Sequence, residues 1–166
     1  MLILMGVSGV GKTTVGTLLA AEIGWRFLDA DDFHPVSNKA KMAEGHPLTD
    51  EDREPWLSAL YAKIAESVDA GKSLILACSA LRETYRERLR GDIRNAVQFA
   101  LLVASPEVLA RRLAERQHEF MHPGLLGSQL TTLEQPEEAW IVGADGSAIE
   151  SVESLKINLR AAGEIP

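Results

Sequence analysis

Gly6-Val7-Ser8-Gly9-Val10-Gly11-Lys12-Thr13 fits G-x-x-x-x-G-K-[ST] at every fixed position. The chemistry of that spacing is phosphate binding. Glycines let the backbone fold tightly, so that successive N–H groups point at phosphate oxygens. A lysine at this position reaches the β- and γ-phosphates, and the hydroxyl after it ligates Mg²⁺. Gly6, Val7, Ser8, Gly9, Val10, Gly11, Lys12, Thr13 and the adjacent Thr14 are therefore the expected nucleotide contacts. Within them, Lys12 is a catalytic candidate and Thr13 a metal ligand. Ser8 stands where a G-x-G-x-x-G dinucleotide fingerprint needs its second glycine, so that fold is disfavoured.

A second set of chemistry-bearing residues is Asp29-Ala30-Asp31-Asp32-Phe33-His34. Acids at a strand's carboxyl end, beside a P-loop, suit one metal-linked role and one hydroxyl-orienting role. The later apolar run Leu74–Cys78 ends in Cys78-Ser79 and offers no acid, which leaves Asp29 as the candidate metal carboxylate. Asp31 is the candidate for orienting an acceptor hydroxyl. Two residues apart on an extended segment, the pair would face one pocket. The competing reading is a solvated acidic turn or a helix cap.

Asp50-Glu51-Asp52-Arg53 precedes a helix whose start is read at Pro55. Acids favour a helix N-terminus, and that alone could explain Asp50 and Asp52. Arg53 gains nothing from the dipole there, and its forked guanidinium suits a carboxylate or phosphate. Arg111, Arg112 and Arg116 follow the fourth apolar run. Arg112 and Arg116 are four apart and share a helix face. They form either a solvated basic face or arginines that stabilise transferring charge. The segment His118–Gly124, with its Pro and Gly, reads as a mobile lid. His118-Glu119-Phe120-Met121-His122 also fits H-E-x-x-H, but Pro123-Gly124 follows at once and argues against the continuing helix that a zinc site needs. Asn38-Lys39-Ala40-Lys41 ends in Lys41 where a guanine-reading N-K-x-D requires Asp.

The elements that must position these residues alternate along the chain. Short apolar runs at Leu2–Met5, Arg26–Leu28, Leu74–Cys78, Val97–Val103 and Ala139–Val142 read as strands. Helical spacing marks Thr13–Ile23, Asn38–Glu44, Glu54–Asp69, Glu83–Arg90, Pro106–Arg116, Leu125–Leu133 and Ile149–Leu159. Such alternation implies a parallel sheet with helices on both faces, and ligands gather beyond the carboxyl ends of its strands. At 166 residues the chain is expected to form one domain, 1–166. A net charge of -7 argues against nucleic-acid or membrane-surface binding. The single cysteine, Cys78, permits no internal disulfide and suits a reducing cytoplasm. It ends an apolar run and is read as a buried structural thiol.

The longer pattern resembles the small P-loop gluconokinases. Asp29-x-Asp31-x-x-His34-Pro35 is followed by Asn38-x-x-Lys41-Met42-x-x-Gly45-x-Pro47-Leu48-x-Asp50-x-Asp52-Arg53-x-Pro55-Trp56-Leu57. Cys78-Ser79-Ala80-Leu81, Tyr85-Arg86, Leu125-Leu126-x-Ser128-Gln129 and Thr132-Leu133-Glu134 come later. The resemblance implies a three-layer αβα P-loop fold of the nucleoside-monophosphate-kinase type, with five parallel strands and a small helical lid near 117–135. It implies ATP- and Mg²⁺-dependent phosphorylation of D-gluconate at its 6-hydroxyl, and often a homodimer. The chain departs from the family at His118-Glu119-Phe120, where Gly-His-Phe is frequent. Gluconate is a polyol with a carboxylate. His34 and Asp31 suit its hydroxyls, and Lys41, Arg53 and Arg82 are the cations available to its carboxylate. The alternatives are a related small-molecule kinase such as a shikimate kinase, or a nucleotide-binding switch without an acceptor.

Overall fold

The computed structural model describes residues 1–115 and 125–166. Its organising element is strand β1 (Leu2–Met5), whose four side chains are all buried. Leu2 and Leu4 enter one hydrophobic core, while Ile3 and Met5 enter another on the opposite side. That split is the period-two alternation of a strand covered on both faces. The remaining strands are β2 (Arg26–Asp29), β3 (Leu74–Ala77), β4 (Gln98–Val103) and β5 (Ala139–Gly143). They form one sheet in the order β2-β3-β1-β4-β5, with every neighbouring pair parallel. The loop after β1 thus emerges where the chain switches from one side of the sheet to the other, the usual place for a ligand.

The helices are α1 (Lys12–Ile23), α2 (Val36–Ala43), α3 (Asp50–Asp69), α4 (Glu83–Arg90), α5 (Pro106–Glu115), α6 (Leu125–Thr132) and α7 (Ala148–Ala161). Val15 and Leu19 of α1, Leu109 of α5, and Val152, Leu155 and Leu159 of α7 pack on the Leu2/Leu4 face. Trp56, Leu57, Leu60 and Ile64 of α3, with Tyr85 and Leu89 of α4, cover the Ile3/Met5 face. Each of these aliphatic side chains contributes about 1.5–3 kcal/mol by leaving water. Helices on both faces of a five-stranded parallel sheet bear out the expected architecture. Cys78 is 1% exposed, and burial pushes its thiol up to about 12, as a structural cysteine requires. Among the described residues no helix is long and apolar enough to cross a membrane.

Two local expectations need correction. Helix α3 starts at Asp50 and runs through Pro55. Its start is set by a reciprocal cap. The Thr49 hydroxyl accepts from the Asp52 N–H at 3.2 Å, and the Thr49 N–H donates to the Asp52 carboxylate at 2.9 Å. This satisfies donors that a helix start leaves orphaned, and the helix carries Pro55 in its second turn. Asp50 and Arg53 therefore lie on the same helical turn. The second correction concerns Asp31. Strand β2 ends at Asp29, and Ala30–Phe33 form a 3-10 turn, so strand alternation does not relate Asp29 to Asp31. Asp29 caps that turn, with its carboxylate accepting from the Asp31 N–H at 3.1 Å.

Because the Thr49 cap sets where α3 begins, Thr49→Ala should cost about 1 kcal/mol of stability. Denaturant unfolding of the variant beside the wild type measures it, and an unchanged midpoint would mean that the cap does not define the helix start.

Candidate active site

Gly6, Gly9 and Gly11 adopt φ of +136°, +83° and +105°, a region that side chains other than glycine's rarely enter. At Gly6 a Cβ would also lie 2.8 Å from the Leu102 carbonyl oxygen. These three residues bend the loop back onto the N-terminus of α1, so its amides and the helix dipole face one point. The Lys12 ammonium donates to the Gly6 and Val7 carbonyls at 2.9 and 3.2 Å, which folds the side chain over the loop.

Two oxygen donors meet beside the loop. The Thr13 hydroxyl donates to an Asp29 carboxylate oxygen at 2.7 Å. Thr13 comes from the first turn of α1 and Asp29 from the end of β2. Asp31 stands next to them. Desolvation by the surrounding protein pushes its carboxyl above the ordinary range, and the Asp29 carboxylate adds to the effect. The side chain is nevertheless 76% open to solvent, so water moderates the shift.

His34 is held rigidly behind Asp31. Its ring stacks on Trp56, with centroids 4.3 Å apart and planes 9° from parallel. The Trp56 indole N–H donates to the Ala30 carbonyl at 2.7 Å, which locks the turn onto α3. Burial, with Lys39 and then Arg53 nearby, lowers the His34 pKa to about 4. The imidazole is neutral at physiological pH, and its Nε2 lies 3.9 Å from the Asp31 carboxylate.

The cations expected to meet a carboxylate separate into two groups. Lys41 is bound to Asp52 at 2.7 and 2.8 Å. Arg53 and Arg82 instead converge on Tyr85, with guanidinium carbons 5.5 and 5.8 Å from its ring centroid. Arg53 also donates to the Leu48 carbonyl at 2.6 Å and to the Tyr85 hydroxyl at 3.3 Å. Asp50 sits between the two guanidiniums and accepts from the Tyr85 hydroxyl at 2.5 Å. Sequence alone gives Asp50 only a helix-start role and Tyr85 none. Tyr85 was legible only as part of the Tyr85-Arg86 motif.

Arg112 of α5 reaches the P-loop, donating to the Val10 carbonyl at 3.2 Å and to the Gly146 carbonyl at 2.9 Å. Arg116, the H-E-x-x-H motif and the first part of the expected lid lie outside the described residues. Helix α6 falls within that expected lid, and its Gln129 side-chain oxygen accepts from the Ser8 N–H at 2.6 Å. This P-loop contact was also missed, although Gln129 stands in the Leu125–Gln129 motif.

A family model described as an AAA domain matches residues 1–136. A gluconokinase of Gluconobacter oxydans is 50% identical over 135 residues, spanning 81% of this chain and 75% of that protein. The chain belongs to the gluconokinase family. A thermosensitive gluconokinase of Escherichia coli is another relative, 41% identical over 135 residues that cover 81% of this chain and 72% of that protein. The crystal structure of a gluconokinase from Sinorhizobium meliloti matches with a TM-score of 0.81 at 36% identity, covering 97% of this chain and 95% of that one. Shikimate kinase from Aquifex aeolicus, at 16% identity and a TM-score of 0.63, shares the fold alone. The resemblance to the small P-loop gluconokinases is thus borne out.

The neutral His34 carries a pH dependence. The unfolded chain binds a proton there below about 6.5, whereas the folded protein binds one only near 4. Protons therefore favour the unfolded state as pH falls through that window. The stabilisation is present above pH 6.5 and declines below it, by on the order of 3 kcal/mol at most. Urea unfolding of wild type and His34→Gln from pH 7.5 to 4.5 should show the wild type losing stability more steeply. Parallel slopes would mean that His34 titrates alike in both states.

Proposed function

We infer that the protein transfers the γ-phosphoryl group of ATP to the 6-hydroxyl of D-gluconate, giving 6-phospho-D-gluconate and ADP. The supporting observation is that a P-loop, two spaced acids and a converged pair of arginines gather beyond the carboxyl ends of the strands in a gluconokinase-family chain. In the reaction the substrate oxygen bonds to the γ-phosphorus as the bond from that phosphorus to the β–γ bridging oxygen breaks. The hydroxyl proton leaves late, because the transition state is loose.

The P-loop amides from Gly6 to Thr14 cradle the phosphates. Lys12 exchanges its contacts with the Gly6 and Val7 carbonyls for the β- and γ-oxygens. Thr13 and Asp29 present hard oxygen donors 2.7 Å apart, a set that suits Mg²⁺, which keeps much of its water shell. When bound, the ion would neutralise charge on the β- and γ-oxygens. Asp31 orients the acceptor hydroxyl and takes its proton, a task aided by its raised pKa. His34, neutral and stacked on Trp56 beside Asp31, offers its ring to substrate hydroxyls. Arg53 and Arg82 take the gluconate carboxylate, while Lys41 contributes at the rim from its pair with Asp52. Arg112, with Arg116 beyond it in sequence, stabilises the transferring charge. The same reading places one kinase domain over 1–166, with a lid near 117–135, in a cytoplasmic homodimer that binds neither nucleic acid nor membrane.

ADP release should rise sharply when gluconate is added to protein, Mg²⁺ and ATP, and Lys12→Ala should reduce that rate by on the order of 10²-fold or more. A coupled assay with gluconate, shikimate and no acceptor decides it; stimulation by shikimate in place of gluconate would reassign the substrate.

The two acids should separate in a Mg²⁺ titration. Asp31→Asn is expected to lower kcat by roughly 10²–10⁴-fold with ATP binding nearly unchanged. Asp29→Asn should instead raise the Mg²⁺ concentration needed for half-maximal rate. The opposite pattern would exchange the roles, and full activity in both variants would make the acids a solvated turn.

A further inference from the structure

Asp50 is held by three donors that belong to the proposed acceptor site. Arg82 Nη1 lies 3.3 and 3.2 Å from its two carboxylate oxygens. Arg53 Nη1 lies 3.6 Å from Oδ1, and the Tyr85 hydroxyl donates to the same oxygen at 2.5 Å. All three arginine distances exceed the 2.7–2.9 Å of a good charge-assisted bond. The two guanidiniums are thus drawn together around an anion that does not fit them tightly. The Asp50 side chain is 62% exposed, so it can swing into water. Two of the donors are better fixed: the Arg53 side chain is 27% exposed and tied to the Leu48 carbonyl, and the Tyr85 residue is 9% exposed, while the Arg82 side chain is 42% exposed. Two arginines and one acid leave a net positive charge, and a carboxylate free to choose its position can approach closer than one tethered to α3.

We propose that Asp50 is a resident counter-ion, a placeholder that the substrate carboxylate displaces from between Arg53, Arg82 and the Tyr85 hydroxyl. Asp50 keeps the donors converged while the site is empty and competes with the acid that enters. The assignment rests on the reading that the acceptor is a sugar acid. An internal competitor lowers the fraction of molecules ready to bind, so apparent affinity falls by that fraction. Its removal should tighten binding rather than weaken it, which a residue touching substrate hydroxyls or merely supporting α3 would not do.

The test is a steady-state titration of gluconate at saturating Mg²⁺ and ATP. Asp50→Asn and Asp50→Ser both remove the charge with different side-chain sizes. Glu51→Gln, which removes a charge from the same exposed first turn, is the control. Both Asp50 variants should lower the gluconate KM by about 3- to 10-fold, with a smaller change in kcat, while Glu51→Gln leaves KM in place. Arg82→Ala should raise KM. Thermal unfolding establishes that each variant is folded. An unmoved or raised KM in a folded Asp50 variant overturns the counter-ion assignment, as does an equal fall in Glu51→Gln. If the wild type does not turn over gluconate at all, the sugar-acid reading fails first, and that arm is measured before any variant is compared.

Discussion

Everything at the candidate site depends on β1 being buried on both faces. A strand without a solvent face must lie inside the sheet, between β3 and β4. Its carboxyl end then opens at the switch point, and the loop that follows has to turn sharply into α1. The positive φ values at Gly6, Gly9 and Gly11 accomplish that turn. With Leu102 backbone against Gly6 and Phe27 ring atoms against Gly16, the strand, loop and helix have little freedom to shift relative to β4 and β2. A phosphate site made of backbone amides needs this rigidity, because no side chain can adjust to correct it.

Around that fixed cradle the protein arranges charge locally, against its own net charge of -7. Several of its described arginines are already paired. Arg86 is fully buried and donates to the Ala80 and Leu81 carbonyls, while Arg90 pairs with Glu83 and Glu87. The Arg86 bonds fasten α4 to the segment after β3, and Glu134 caps the start of α4 from beyond α6 through the Glu83 N–H at 2.5 Å. The scaffold thereby fixes the helix that carries Tyr85, on whose ring Arg53 and Arg82 converge. An acidic surface with a small basic pocket favours small anions held at close range over long polyanions.

The acids beside the P-loop illustrate how similar residues acquire different surroundings. Asp29 is drawn to the Thr13 hydroxyl and caps the 3-10 turn. Asp31, carried by that turn, has its pKa raised by desolvation and by Asp29's charge. Stacked on Trp56 and kept neutral, His34 adds no competing positive charge. The two carboxylates thus acquire different partners from a bend of only two residues.

Much of this was legible in the chain. The motif Gly6–Thr13, the strand–helix alternation and the Asp29–Leu57 block specify local chemistry, because phosphate binding by a P-loop is done by contiguous backbone and needs no distant partner. Cys78 was legible as buried for a similar reason, its run being apolar throughout. Reading the start of α3 at Pro55 failed because a proline is a louder signal than a reciprocal Thr49–Asp52 cap, which is also written locally. The remaining features depend on contacts across long sequence separations. Arg53 and Arg82 meet on Tyr85 because α3 and α4 pack on the same sheet face. Lys41 turns to Asp52, and Gln129 turns to Ser8, over separations that periodicity cannot encode. Composition and motif determined which chemistry is present. Packing of the helices over a doubly buried sheet decided which cation faces which anion, since charge pairing depends on distance in space and not on distance along the chain.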